Sequence, residues 1–216
     1  MGAALAACAL AGCAESRPAH PSPPVAAPAG SQAGRGAGWD QGKWGTFHSQ
    51  RFDLRLPLPD GAAWRIDDHK GSWLPATHPP PGSTLRLRMV LESHALNRAK
   101  CEAVVREAER ALPVSRSDQV IEDVASGGPP GWDTHVVTFV QPDRRDETKL
   151  TGQLLAFASN VRKCLGFHFV TDATGADARP TVAARLSDAK ERIVRELSFD
   201  QDLGVPGREA LTEPRR

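Results

Sequence analysis

Asp133 and His135 stand two residues apart on what reads as one strand face, and His168 follows two strands later. A carboxylate and two imidazoles are suitable ligands for a transition metal, but a site needs three or four of them to converge. No HExxH, CxxC or histidine-rich cluster accompanies them. The expectation is therefore solvated or core histidines, with no metal and no cofactor. His69, His78 and His94 fall in loops or at strand ends, with no carboxylate at a telling spacing. For nucleophilic catalysis the chain has no GxSxG elbow. Cys164 and His168 are four apart on a strand, about 13 Å, which is too far for proton transfer. The run Gly127-Gly128-Pro129-Pro130-Gly131 is no phosphate cradle, because proline removes donors that a nest of amides needs. The expected set of catalytic residues is empty.

The cysteines say more. Ala3 to Ala11 is a short apolar run, too short to span a bilayer and of the length of a signal-peptide core. It ends in Leu10-Ala11-Gly12-Cys13, which resembles the lipobox of bacterial lipoprotein precursors. That resemblance implies cleavage after residue 12, a lipid on Cys13 and a stable membrane anchor, since each buried methylene adds about 0.8 kcal/mol. No Lys or Arg precedes the run, where a positive segment belongs. Either the start lies upstream of Met1 or the segment is not a signal. Ala14 is unlike the Asp that often marks inner-membrane retention, so the resemblance implies the outer membrane. Cys8 then leaves with the leader, and Cys101 and Cys164 remain in an oxidising compartment. An even pair there favours a disulfide, worth roughly 4 kcal/mol in the chain-entropy model.

These residues need elements to place them. The 216 residues, 40% apolar and 25% charged, suit one domain with a tail, and a net charge of +1 offers no field for nucleic acid. Residues 13–43, rich in Pro, Ala and Gly, read as a disordered tether. Phe52, Leu54, Leu56 and Leu58 alternate with polar residues and Pro57, giving a strand that turns at Asp60-Gly61. Trp64 to Ile66 is expected to return against it, and Trp73 to Thr77 to form another short strand. Leu85, Leu87, Met89 and Leu91 alternate inward, with Arg86 and Arg88 outward. Asn97 caps a helix whose stripe is Cys101, Val104, Val105, Ala108 and Leu112. Four antiparallel strands follow, near 120–125, 132–140, 150–158 and 162–171, the last three apolar on both faces and hence central. A long helix from Pro180 to about Ser198 carries Val182, Leu186, Ala189, Ile193 and Leu197. Residues 200–216 read as a flexible tail.

The expected fold is α+β, a central antiparallel sheet of about six to seven strands with helices packed on it. The order of elements, beginning "RFDLRLPLPDGAAWRIDD", resembles the PsbP-like superfamily over residues 44–199. Known members bind partners, so the resemblance implies a non-catalytic binding or assembly module at the cell envelope, with an envelope protein as partner. Two other readings remain at this point. One is a carrier of a small hydrophobic ligand in a groove between sheet and helix, which the five tryptophans could line. The other is an enzyme whose site is assembled from scattered residues. Arg86, Arg88, Arg98 and Lys100 are a candidate docking patch, and the ligand-binding residues are unassigned.

Overall fold

The computed structural model describes residues 39, 43–69, 71–79, 82–117 and 119–200. Cys13, the leader and the tail 201–216 lie outside the described residues. The chain runs β1 (Trp44–Ser49), β2 (Leu54–Pro59), β3 (Arg65–Ile66), β4 (Leu74–His78), β5 (Ser83–Leu91), α1 (Arg98–Ala108), β6 (Val120–Val124), β7 (Asp133–Pro142), β8 (Lys149–Asn160), β9 (Lys163–Thr174), α2 (Ala178–Asp188) and β10 (Ser198–Phe199). Seven strands form one antiparallel sheet in the order β3-β4-β5-β9-β8-β7-β6, and β1-β2-β10 form a second. The fold is α+β with a seven-stranded sheet, as expected, but the second sheet is an addition.

Strands β8 and β9 are central because both of their faces are apolar. Leu154, Ala156, Leu165, Phe167 and Phe169 point into the larger core, together with Leu54, Leu56 and Leu58 of β2 and Val182, Leu186 and Ile193. Leu155, Phe157 and Cys164 point the other way, onto Cys101 and Val105 of α1. The layers are therefore α1, the large sheet, then α2 beside the small sheet. Glycine lets both helices approach: a Cβ at Gly166 would lie 2.6 Å from Val105, and one at Gly152 would lie 2.3 Å from Val182. Asn97 caps α1 as its sequence implies, its side chain accepting from the Lys100 amide at 2.9 Å.

Several expectations need correction. β3 does not return against β2; it pairs with β4 in the other sheet, so the Asp60-Gly61 turn is a crossing between sheets. Leu91 is not inward but 69% exposed, because it pairs with Lys163 at the very start of β9 and outruns its cover. The last helix begins at Ala178 and does not reach Ser198. It widens to a π-turn over Ala189–Val194, in which the Arg195 amide donates to Lys190 O at 3.1 Å. That extra residue per turn buries Ile193 and Val194 side by side, and the chain then breaks into β10. Trp39 is no part of a loose lead-in: it is buried and stands edge-on to Trp44 and Phe169.

Candidate functional site

The two cysteines meet as the compartment argument requires. Cys101 and Cys164 form a disulfide with Cα atoms 5.3 Å apart, stitching α1 to β9.

The histidines named above do not converge. Asp133 ties to Arg98, with 3.3 Å between Oδ1 and the guanidinium. His135 Nδ1 lies 2.8 Å from Glu102 Oε2, and Nε2 lies 2.7 Å from Asp123 Oδ1. This clamps β7 to α1 and β6. Burial lowers the His135 pKa, but the flanking Asp123 and Glu102 carboxylates outweigh it, and the pKa is raised. His168 sits two strands away from His135 and two residues beyond the position opposite it, about 12 Å at the usual strand geometry. Its Nε2 donates to Gln153 Oε1 at 3.0 Å, and Gln153 and Gln141 pass the chain of hydrogen bonds on to Gln119. Burial, aided by the positive charge of Arg86, pushes the His168 pKa down to about 4. Each of these histidines is a structural fastening.

Two members of the expected basic patch are engaged: Arg86 binds Glu109 at 2.8 Å and lies over the Trp73 ring, and Arg98 is held by Asp133. Ser187 and Lys190 have the SxxK spacing of some acyl-transfer enzymes. The Lys190 ammonium, however, is held by Glu122 at 2.7 Å and Glu191 at 3.2 Å, which hold its pKa up. A charged amine of this kind has no lone pair with which to act as a base.

A concavity lies elsewhere, beside the small sheet. A solvent-open cavity of about 830 Å³ is walled by the first half of β1, including Trp44 and Phe47, and by the turn Asp60 to Ala63. The two walls come together through paired glycines, since a Cβ on Gly61 would stand 3.0 Å from the Gly45 Cα. Asp60 adopts the left-handed conformation (φ 48°), a region in which aspartate is one of the few tolerated residues. His78, at the end of β4, closes the floor. Its side chain is only 4% exposed, and its Nε2 is 3.9 Å from Asp60 Oδ2, beyond hydrogen-bond range. The Trp64 ring lies 5.3 Å from that imidazole and is fixed by its own indole N–H, which donates to Pro59 O at 2.7 Å. Of the five tryptophans, Trp44 lines this cavity, while Trp39, Trp64, Trp73 and Trp132 are buried. Apolar walls with one carboxylate and one imidazole at the base suit a ligand with an apolar body and a polar end.

A second cluster stands at the other end of β1. His48, Asp53 and Asp200 place one ligand atom each within 4.8 Å of one another. They are 5 and 147 residues apart along the chain (53 − 48 and 200 − 53), so no spacing motif could signal them.

No family model matches this chain, and no curated protein matches it. Among solved structures it is similar to a crystal structure from Bacteroides thetaiotaomicron VPI-5482, with 11% identity and a TM-score of 0.42. The match covers 73% of this chain and 48% of that one, so the chain spans about half the length of that neighbour.

Proposed function

We propose that this chain is a non-catalytic binding module of the bacterial envelope, tethered through lipid on Cys13, whose binding cleft is the cavity beside β1. The observation that carries the reading is that cavity: about 830 Å³, within the size range of ligand pockets, with Trp44 and Phe47 on its walls. Two features support a binding rather than a catalytic role. His135 is clamped between carboxylates, and His168 is packed against Gln153. The seven-stranded antiparallel sheet, with a helix on each face, supports a PsbP-like assignment. The Cys101–Cys164 disulfide supports an oxidising compartment. Among the described residues no helix is long and apolar enough to cross a membrane, so attachment in this reading falls to Cys13. The outer membrane is the favoured address because Ala14 follows it.

The second reading, a carrier of a small hydrophobic molecule, is favoured by the same cavity's apolar walls. The two are separated by placing a photo-crosslinking residue at Thr46, on the exposed rim, in the full chain in cells. An envelope protein captured at Thr46 and lost in Ala63→Trp, which fills the cavity, is the expected result. A small molecule that co-purifies in native mass spectrometry and is lost in the same variant selects the carrier reading. If Ala63→Trp changes neither, the cavity is not the binding site and the proposal fails.

A further inference from the structure

His48 lies in β1, Asp53 in the turn between β1 and β2, and Asp200 directly after β10. Three separate segments thus deliver one imidazole and two carboxylates to one place on the small sheet. The Asp200 amide donates to Asp53 O at 3.0 Å, which fixes the two acidic residues relative to each other. Asp200 Oδ1 accepts from Arg55 Nε at 2.7 Å, and its Oδ2 pairs with His48 Nε2. Those two pairings account for Asp200. They do not account for Asp53, whose carboxylate meets no donor or cation among the described residues yet is brought against a second carboxylate. Asp53 thus stands beside Asp200 with no pairing of its own, and like charges at this range repel unless a cation joins them.

We propose that His48, Asp53 and Asp200 form a binding site for a divalent transition-metal ion, Zn²⁺ being the best fit. Ligands that share an ion at about 2.0–2.2 Å lie about 3.0–3.6 Å from one another, so small side-chain rotations close the observed 4.8 Å envelope. The imidazole nitrogen selects against Ca²⁺ and Mg²⁺, which prefer all-oxygen sites. It also separates this cluster from a merely acidic patch. Arg55 takes the supporting role commonly seen around metal carboxylates, holding Oδ1 of Asp200, while an ion would take the place of the proton shared between Asp200 Oδ2 and His48 Nε2. With three protein ligands the remaining positions are open to water or to an oxygen donor. The ion would join β1, its following turn and β10, the shortest strand of that sheet.

The test is calorimetric titration of ZnCl₂ into the metal-stripped, disulfide-intact full chain, beside His48→Ala and Asp53→Asn. The expected result is one Zn²⁺ per chain, with affinity at least about tenfold weaker in each variant and no comparable binding of Mg²⁺. Asp53→Asn is nearly isosteric and exposed, so its thermal unfolding without metal should match the parent. Co²⁺ substitution gives an independent readout, visible absorption bands that disappear in His48→Ala. Absence of Zn²⁺ binding overturns the proposal, as does binding that both variants retain unchanged.

Discussion

The buried His168 makes acid stability a direct test of the packing between α1 and the large sheet. Its pKa is pushed from 6.5 to about 4 by burial first and Arg86 second, with Glu109 offering a smaller opposing pull. A group whose folded pKa is depressed favours the native state above its unfolded pKa. That advantage drains away as pH falls through the folded value. From pH 7 to pH 4 the native state should therefore lose about 3 kcal/mol through this one imidazole, at about 1.4 kcal/mol per pH unit. His168→Gln removes the titration and keeps a donor, because the amide nitrogen can replace Nε2–H against Gln153 Oε1. The assay is urea unfolding of parent and variant at intervals between pH 7.5 and 4. The difference between the two curves should be near constant above pH 7 and should swing toward the variant by about 3 kcal/mol at pH 4. Parallel curves across that range would refute the claim that the imidazole is held neutral by its surroundings.

His135 should behave oppositely: its pKa is raised, so its stabilisation is complete below about 6.5 and fades as pH rises through the folded value. His135→Ala should therefore cost more stability at pH 5 than at pH 8, measured by the same unfolding curves. Reducing the Cys101–Cys164 bond, which spans 63 residues of sequence, should lower stability by about 4 kcal/mol, read as a shift in urea midpoint with and without reductant. Gly166→Ala puts a methyl 2.6 Å from a Val105 methyl and should cost about 1–3 kcal/mol. Val105→Ala in the same chain should recover part of that loss; a strictly additive double variant would show that the two groups do not meet.

The large sheet was legible because its strands obey simple rules. Leu85 and Leu87 alternate with arginines in β5, and β8 and β9 are apolar on both faces, so each strand announces its own layer. Asn97 and the spacing of Cys101 and Val105 announced α1 in the same way. Of the small sheet only β2 was legible, through the alternation of Leu54, Leu56 and Leu58. β1 has the sequence WGTFHS, whose two apolar residues, Trp44 and Phe47, are three apart and so show no period of two, although exposure alternates from Gly45 to Ser49, and β10 is two residues long. β1 is the hairpin partner of β2, whereas β10 comes to β2 from far along the chain, a tertiary effect that no local window contains. The disulfide was inferable from compartment and face; the cavity was not, since it depends on Gly45 meeting Gly61 across a crossing between sheets.

That division bears on where function resides. Regions that follow local rules are built for stability, and departures from those rules gather at sites under another constraint. Here β1 supplies the cavity wall with its first half and His48 with its second, so both candidate sites sit on the strand with the weakest local signal. Asp53 and Asp60, which flank β2, are also two of the three non-glycine residues with positive φ among the described residues. Each lies at one of the two sites, and asparagine or glycine would hold either turn with less strain. A carboxylate kept there is better explained by what it faces than by the turn it makes. Asp53→Asn and Asp60→Asn should consequently leave unfolding curves nearly unchanged while weakening Zn²⁺ binding and cleft occupancy respectively. Loss of stability without loss of binding would assign both residues to the fold instead.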